Sequence, residues 1–164
     1  SKKRSATSDP SSSPPKYTFF VDRDLGPTFG RILKASGLDV RLHNEIFSEQ
    51  SAQDSVADDI WIRHCGNNGW VALTRDNDIT RTPASVEAAM ESGARIFILR
   101  GQMTFPELAN QFVGAIDKIH RVLAREEGPF IARVKRETFP RGRDRFVVDV
   151  SIFMNAKKWQ SAQG

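Results

Sequence analysis

Beyond the first sixteen residues the chain alternates between short apolar runs and longer stretches with helical spacing. Residues 17–21 form a run with aromatic and β-branched members, bounded by Asp22, and predict a buried strand. Phe29, Ile32 and Leu33 recur at helical spacing before Gly37, so a helix follows, and residues 38–42 predict a second strand. Ser55 and Asp58 make a capping-box pattern for a helix through Trp61 to Cys65, stopped by Gly66. Residues 70–74 predict a third strand. Thr82 with Pro83 at the first helical position starts another helix, which Gly93 closes, and residues 95–99 predict a fourth strand. Thr104 and Glu107 form a second capping box. Behind it Phe105, Leu108, Phe112, Ile116, Ile119 and Leu123 mark one face of a long amphipathic helix, broken at Gly128-Pro129. Residues 130–134 predict an edge strand, and residues 145–154 alternate well enough for a further strand or an arm. Strands separated by helices imply an α/β fold with right-handed crossovers and a largely parallel sheet. Residues 1–16 are rich in Ser and Pro without apolar periodicity and read as a disordered segment.

Composition narrows the class. Of 164 residues 39% are hydrophobic and 27% charged, enough for one globular core. Cys65 stands alone, so no intrachain disulfide is possible, which suits a reducing compartment. No apolar run is long enough to cross a bilayer, and Lys2, Lys3 and Arg4 have no apolar stretch behind them, so a secretion signal is not read. The expectation is a soluble, cytoplasmic protein with no membrane partner. The formal charge of +4 is unevenly spread: residues 17–132 carry twelve basic and sixteen acidic side chains, while residues 133–164 carry eight basic and three acidic. Basic ends on an acidic body either draw in a polyanion or serve solubility.

The acids lie where chemistry is expected. Ligands of an open parallel sheet bind beyond the carboxyl ends of its strands. The first strand runs into Asp22 and Asp24, the third into Asp76 and Asp78, and Asp58 and Asp59 open the helix between them. Carboxylates converging on one space repel unless a cation sits among them, and Mg²⁺ or Mn²⁺ prefers such hard oxygen ligands. Other readings stay open: Asp58 as a helix cap, Asp24 as a turn residue before Leu25-Gly26-Pro27, Asp78 as a loop acid or N-cap. His43, His64 and His120 lack metal-binding spacing and read as surface or cap residues. Trp61 and Trp70 read as core. Trp159, beside Lys157 and Lys158, reads as a packing contact with a partner, or as a base-stacking residue.

An apolar strand ending in Asp22-Arg23, then Asp58-Asp59-Ile60-Trp61, then Trp70 through Thr74-Arg75-Asp76-Asn77-Asp78-Ile79 resembles the PIN-like domains related to VapC toxins. The similarity covers residues 17–136, leaving residues 137–164 as a basic C-terminal extension outside it. The resemblance implies a three-layer sandwich with a mostly parallel central sheet flanked by helices. It also implies an endoribonuclease, the toxin of a toxin–antitoxin pair, cleaving RNA with water activated by Mg²⁺ or Mn²⁺. Its partner would be a cognate antitoxin, a small DNA-binding protein, with a homodimer also possible. By position, Asp22 matches the first acid and Asp76 and Asp78 the later ones. Asp58 matches the helix acid, three before Trp61, with Asp59 its substitute. Asp24 and Thr74 would support them, the Thr74 hydroxyl holding a water or phosphate. Arg23 and Arg75 beside the acids, and Arg141 and Arg143 in the extension, are the expected RNA contacts. Two alternatives are a haloacid-dehalogenase-like phosphatase with Asp22 as nucleophile and Asp24 as acid/base, and a catalytically silent PIN-like binding module.

Overall fold

A computed structural model describes residues 16–47, 56–138 and 146–163. All but the last residue of the N-terminal segment, together with Ser55, Arg141 and Arg143, therefore lies outside the described residues. The strands are β1 (Thr18–Val21), β2 (Asp39–Leu42), β3 (Val71–Thr74), β4 (Arg95–Leu99), β5 (Phe130–Thr138) and β6 (Phe146–Asn155). The helices are α1 (Gly26–Ala35), α2 (His43–Ile46), α3 (Asp58–Asn68), α4 (Pro83–Ser92), α5 (Phe105–Gly114), α6 (Ile116–Arg125) and α7 (Ala156–Gln163). Short 3₁₀ turns follow β1 (Arg23–Leu25) and β3 (Asn77–Arg81). The six strands form one sheet in the order β2-β1-β3-β4-β5-β6, parallel except for the last pair.

Side chains along each strand alternate between two cores, as strand geometry requires. One core joins Phe19, Val21, Leu73, Phe97, Leu99 and Phe130 to α1, α5 and α6 through Phe29, Leu33, Leu108, Phe112 and Ile119. The other joins Phe20, Ala72, Ile96, Ile98 and Ile131 to α3 and α4 through Trp61, Ile62, Cys65, Ala88 and Ala89. This is the three-layer α/β sandwich expected from the sequence. No described helix is long and apolar enough to cross a membrane.

Several local expectations change. Helix α3 runs through Gly66 to Asn68 and is closed by Gly69, which has a φ of 69°. Gly66 is inside it because α4 comes too close for a side chain: a Cβ there would lie 2.7 Å from the Ser92 carbonyl oxygen. Gly66→Ala is therefore expected to push α3 from α4 and lower stability by about 1–3 kcal/mol, checked by urea unfolding. The long helix predicted after Thr104 is divided at Ala115 into α5 and α6. Residues 130–134 are no edge: β5 lies between β4 and an antiparallel β6 that pairs along it from Phe130↔Asn155 to Thr138↔Phe146. The edge is β6. Trp159 packs against the chain's own second core with Phe153 and Met154, which corrects its reading as a partner or base contact.

Handedness also departs from expectation. The β3–α4–β4 and β4–α5–α6–β5 connections step the same way across the sheet but on opposite faces. They must be of opposite hand. The first three crossovers share one hand and the last reverses it, because α3 and α4 already cover the other face. That reversal sets α5 and α6 beside β5 and β6.

Candidate active site

The chain leaves β1 toward β2 on one side and returns to β3 on the other, so the strand order reverses between β1 and β3. A crevice beyond the carboxyl ends of two such strands is where open α/β sheets bind ligands. Asp22 follows β1 directly, its backbone N–H donating to the Leu73 carbonyl of β3 at 2.9 Å. An open cleft of about 340 Å³ lies there, lined by four carboxylates, Asp22, Asp24, Asp58 and Asp76, together with Arg23, His43, Val56 and Trp61.

Each acid is held by its own local structure. Asp22 is buried; its Oδ1 accepts from the Arg23 amide at 2.7 Å and its Oδ2 from the Thr74 hydroxyl at 2.8 Å. Asp24, carried over by the 3₁₀ turn, accepts from the Arg75 amide at 3.2 Å and lies 3.2 Å from the Thr74 oxygen. Asp58 opens α3 with no side-chain cap and accepts from Trp61 Nε1 at 3.0 Å, an i,i+3 contact on one helix face. The expected capping role of Asp58 is thus replaced by one that turns it toward the cleft. Asp76 caps the second 3₁₀ turn, accepting from the Asp78 amide at 2.9 Å, and lies against Asp58 within hydrogen-bonding reach.

Crowded acids with little counter-charge resist ionisation. Burial, then the Asp24 charge, pushes the Asp22 carboxyl up to about 7 against the hydrogen bonds from Thr74 and Arg23. Burial, then neighbouring Asp76 and Asp59, also raises Asp58 above the ordinary carboxylate range, although the Trp61 indole opposes this. Among the described residues no three acidic, histidine or cysteine side chains stand close enough together to hold a metal ion as they are placed. The donor set still fits a hard cation. Mg²⁺ and Mn²⁺ accept carboxylate oxygens, and Mg²⁺ keeps several waters, so an open set of acids short of positive charge suits them.

Other residues fall differently. Asp78 points outward, exposed and paired with Arg81, and Asp59 does not line the cleft. Asp58 is thus the helix acid that reaches it. The Thr74 hydroxyl is fully buried and engaged by Asp22, Asp24 and the Asp76 amide, leaving no room to hold a phosphate. Thr74→Val is expected to cost about 1–3 kcal/mol, since it leaves buried partners unsatisfied, and to raise Asp22 further; chemical denaturation measures the first. Arg23 lies on the cleft lip, whereas the Arg75 guanidinium turns away, donating to the Gly101 and Met103 carbonyls and covering the Phe105 ring at 5.5 Å. Lys34 is paired with Glu45 on an exposed surface and does not line the cleft.

His43 was missed. It is buried, lines the cleft, packs 5.0 Å from the Phe47 ring, and its Nδ1 has no hydrogen-bond partner. Burial, then nearby Arg23, lowers its pKa and favours the neutral ring. The signal was available, because His43 follows the last residue of β2 and so stands on the same carboxyl-end rim. His64 and His120 instead pack against aromatic rings, His64 on Phe47 and Trp70, His120 on Tyr17. Cys65 is buried, which pushes its thiol far above the reactive range.

With this fold and this rim of acids, the chain belongs to the PIN-like domain family: a family model described as "PIN like domain" matches residues 17–101. The chain is also 32% identical over 117 residues to "Putative ribonuclease VapC45" of Mycobacterium tuberculosis (strain ATCC 25618 / H37Rv), covering 70% of this chain and 83% of that protein. No solved structure gives a significant match.

Proposed function

We propose that this chain is an endoribonuclease dependent on Mg²⁺ or Mn²⁺, the toxin of a toxin–antitoxin pair, with the four-carboxylate cleft as its active site. One observation carries the reading. Asp22, Asp24, Asp58 and Asp76, from three separate stretches of chain, line one crevice at the strand-order reversal, where burial and the neighbouring Asp24 charge push the Asp22 carboxyl up to about 7. The ribonuclease name of the M. tuberculosis relative supports the same chemistry.

Asp22, Asp58 and Asp76 would hold the cation, with Asp24 beside them. When bound, it supplies positive charge against the phosphoryl oxygens and makes water more acidic. The protein's own groups do the positioning. Trp61 fixes Asp58, Thr74 fixes Asp22 and Asp24, and Arg23 on the lip offers a guanidinium to the phosphate. The neutral His43 ring, packed on Phe47, forms part of the cleft wall. A small open cleft suits an unstacked backbone, so single-stranded or loop RNA is the substrate class. The partner proposed with it is an antitoxin, a small DNA-binding protein.

Purified protein incubated with single-stranded RNA in Mn²⁺ or Mg²⁺ is expected to release discrete fragments, and EDTA to stop this. Tight Mn²⁺ binding without cleavage of any RNA in a broad panel would point instead to a silent binding module. Turnover of an aryl phosphate would favour the phosphatase.

A further inference from the structure

A second concavity, larger than the acidic cleft, opens on the face of the sheet covered by α5 and α6. It is a groove of about 800 Å³ whose walls are those two helices and the β5–β6 pair. Lys118 and Arg121, three apart on one face of α6, and Arg136 of β5 line it, against one acid, Glu107. Neither Lys118 nor Arg121 forms an ion pair with a described residue. Gln111 lies in the floor, nine-tenths buried, with no hydrogen-bond partner for Oε1. Gly114 and Ala115, at the junction of the two helices, keep the groove open, and nothing lies within 4 Å of a Cβ built on Gly114.

The groove lies close to the cleft. Arg75 donates its amide to Asp24 in the cleft and its guanidinium to the carbonyl of Met103, which lines the groove. One arginine side chain therefore spans the distance between them. An acidic cleft repels a polyanion, so a substrate strand needs cations alongside the site rather than in it.

We infer that this groove is the track for the RNA backbone beyond the scissile bond, with Lys118 and Arg121 contacting phosphates. The inference rests on the nuclease reading of the cleft. It differs from the sequence-based expectation, which placed RNA contacts on Arg23, Arg75, Arg141 and Arg143.

The test is anisotropy of a labelled single-stranded RNA with the full chain in EDTA, titrated at several salt concentrations. The Lys118→Ala/Arg121→Ala pair is expected to weaken binding by about tenfold or more, and to reduce the slope of log affinity against log salt by about 1.4, or 0.7 per lost phosphate contact. Gly114→Glu removes no contact and puts a carboxylate in the groove; it is expected to weaken RNA binding with an unchanged melting temperature. In cleavage assays both variants should raise KM and leave kcat near wild type. Wild-type cleavage with unchanged RNA affinity in both variants would overturn the groove while leaving the nuclease reading intact. Wild type that neither binds nor cleaves RNA would overturn both. Retained RNA binding with lost binding of poly-glutamate would assign the groove to an acidic protein and also overturn the proposal.

Discussion

Asp76→Asn is expected to reduce RNA cleavage by roughly 10²–10³-fold, because it weakens the hold on the cation whose positive charge stabilises the transition state. The substitution separates charge from structure. Asp76 caps a 3₁₀ turn by accepting from the Asp78 amide, and Asn is as good a cap as Asp. The turn should therefore survive, and with it the packing of Ile79 in the second core. What is lost is one negative charge beside Asp58, so the Asp58 carboxyl should return toward its ordinary range. The measurement is kcat/KM in Mn²⁺ together with a thermal melt. An unaltered rate constant in a folded variant would remove Asp76 from the active site and with it the proposed function.

The second large effect is on stability. Without bound cation, the protein is expected to lose stability as pH rises from about 4 to about 7. The Asp22 carboxyl titrates near 7 in the folded chain against 3.8 when exposed. Between those values the folded state binds more protons than the unfolded one, so stability must fall as pH increases. The contribution is fully present below the unfolded value and gone above the folded one. At 1.36 kcal/mol per unit it is at most about 4 kcal/mol. Asp58 shifts in the same direction. Glu45, held below its ordinary range chiefly by the Leu42 amide, works in the opposite direction. Asp22→Asn should flatten the profile, make the protein in EDTA more stable at pH 8, and diminish the stabilisation by Mn²⁺. Urea unfolding at matched ionic strength measures this. Wild type in EDTA that is equally stable at pH 5 and pH 8 would contradict the claim.

Much of the fold was legible because its signals are local. β1, β3 and β4 are short apolar runs bounded by polar residues, and they emerge within a residue of where periodicity put them. The Thr104/Glu107 capping box is present, with the Thr104 hydroxyl accepting from the Glu107 amide at 3.2 Å. Where expectation failed, a distant neighbour had intervened. Gly66 read as a helix stop and is a helix interior, because the space at that position is set by Ser92, twenty-six residues away. β5 read as an edge because nothing in residues 130–134 reveals that β6 returns to pair with it.

The candidate site divides along the same line. The sequence by itself determined that acids would gather at the carboxyl ends of β1 and β3, since strand ends, loop acids and helix starts are all written in neighbouring residues. Only the tertiary structure decided which acids meet. Asp58 and Asp59 are adjacent in sequence, but helical geometry turns one to the cleft and the other away. Asp76 and Asp78 sit two apart, and the 3₁₀ turn sends Asp78 out to Arg81. His43 stands on the same rim because it follows β2, which the sequence did signal; that it lines this cleft depends on β2 lying next to β1. Direction in space depends on backbone twist and on packing partners far along the chain, and no window of sequence contains both.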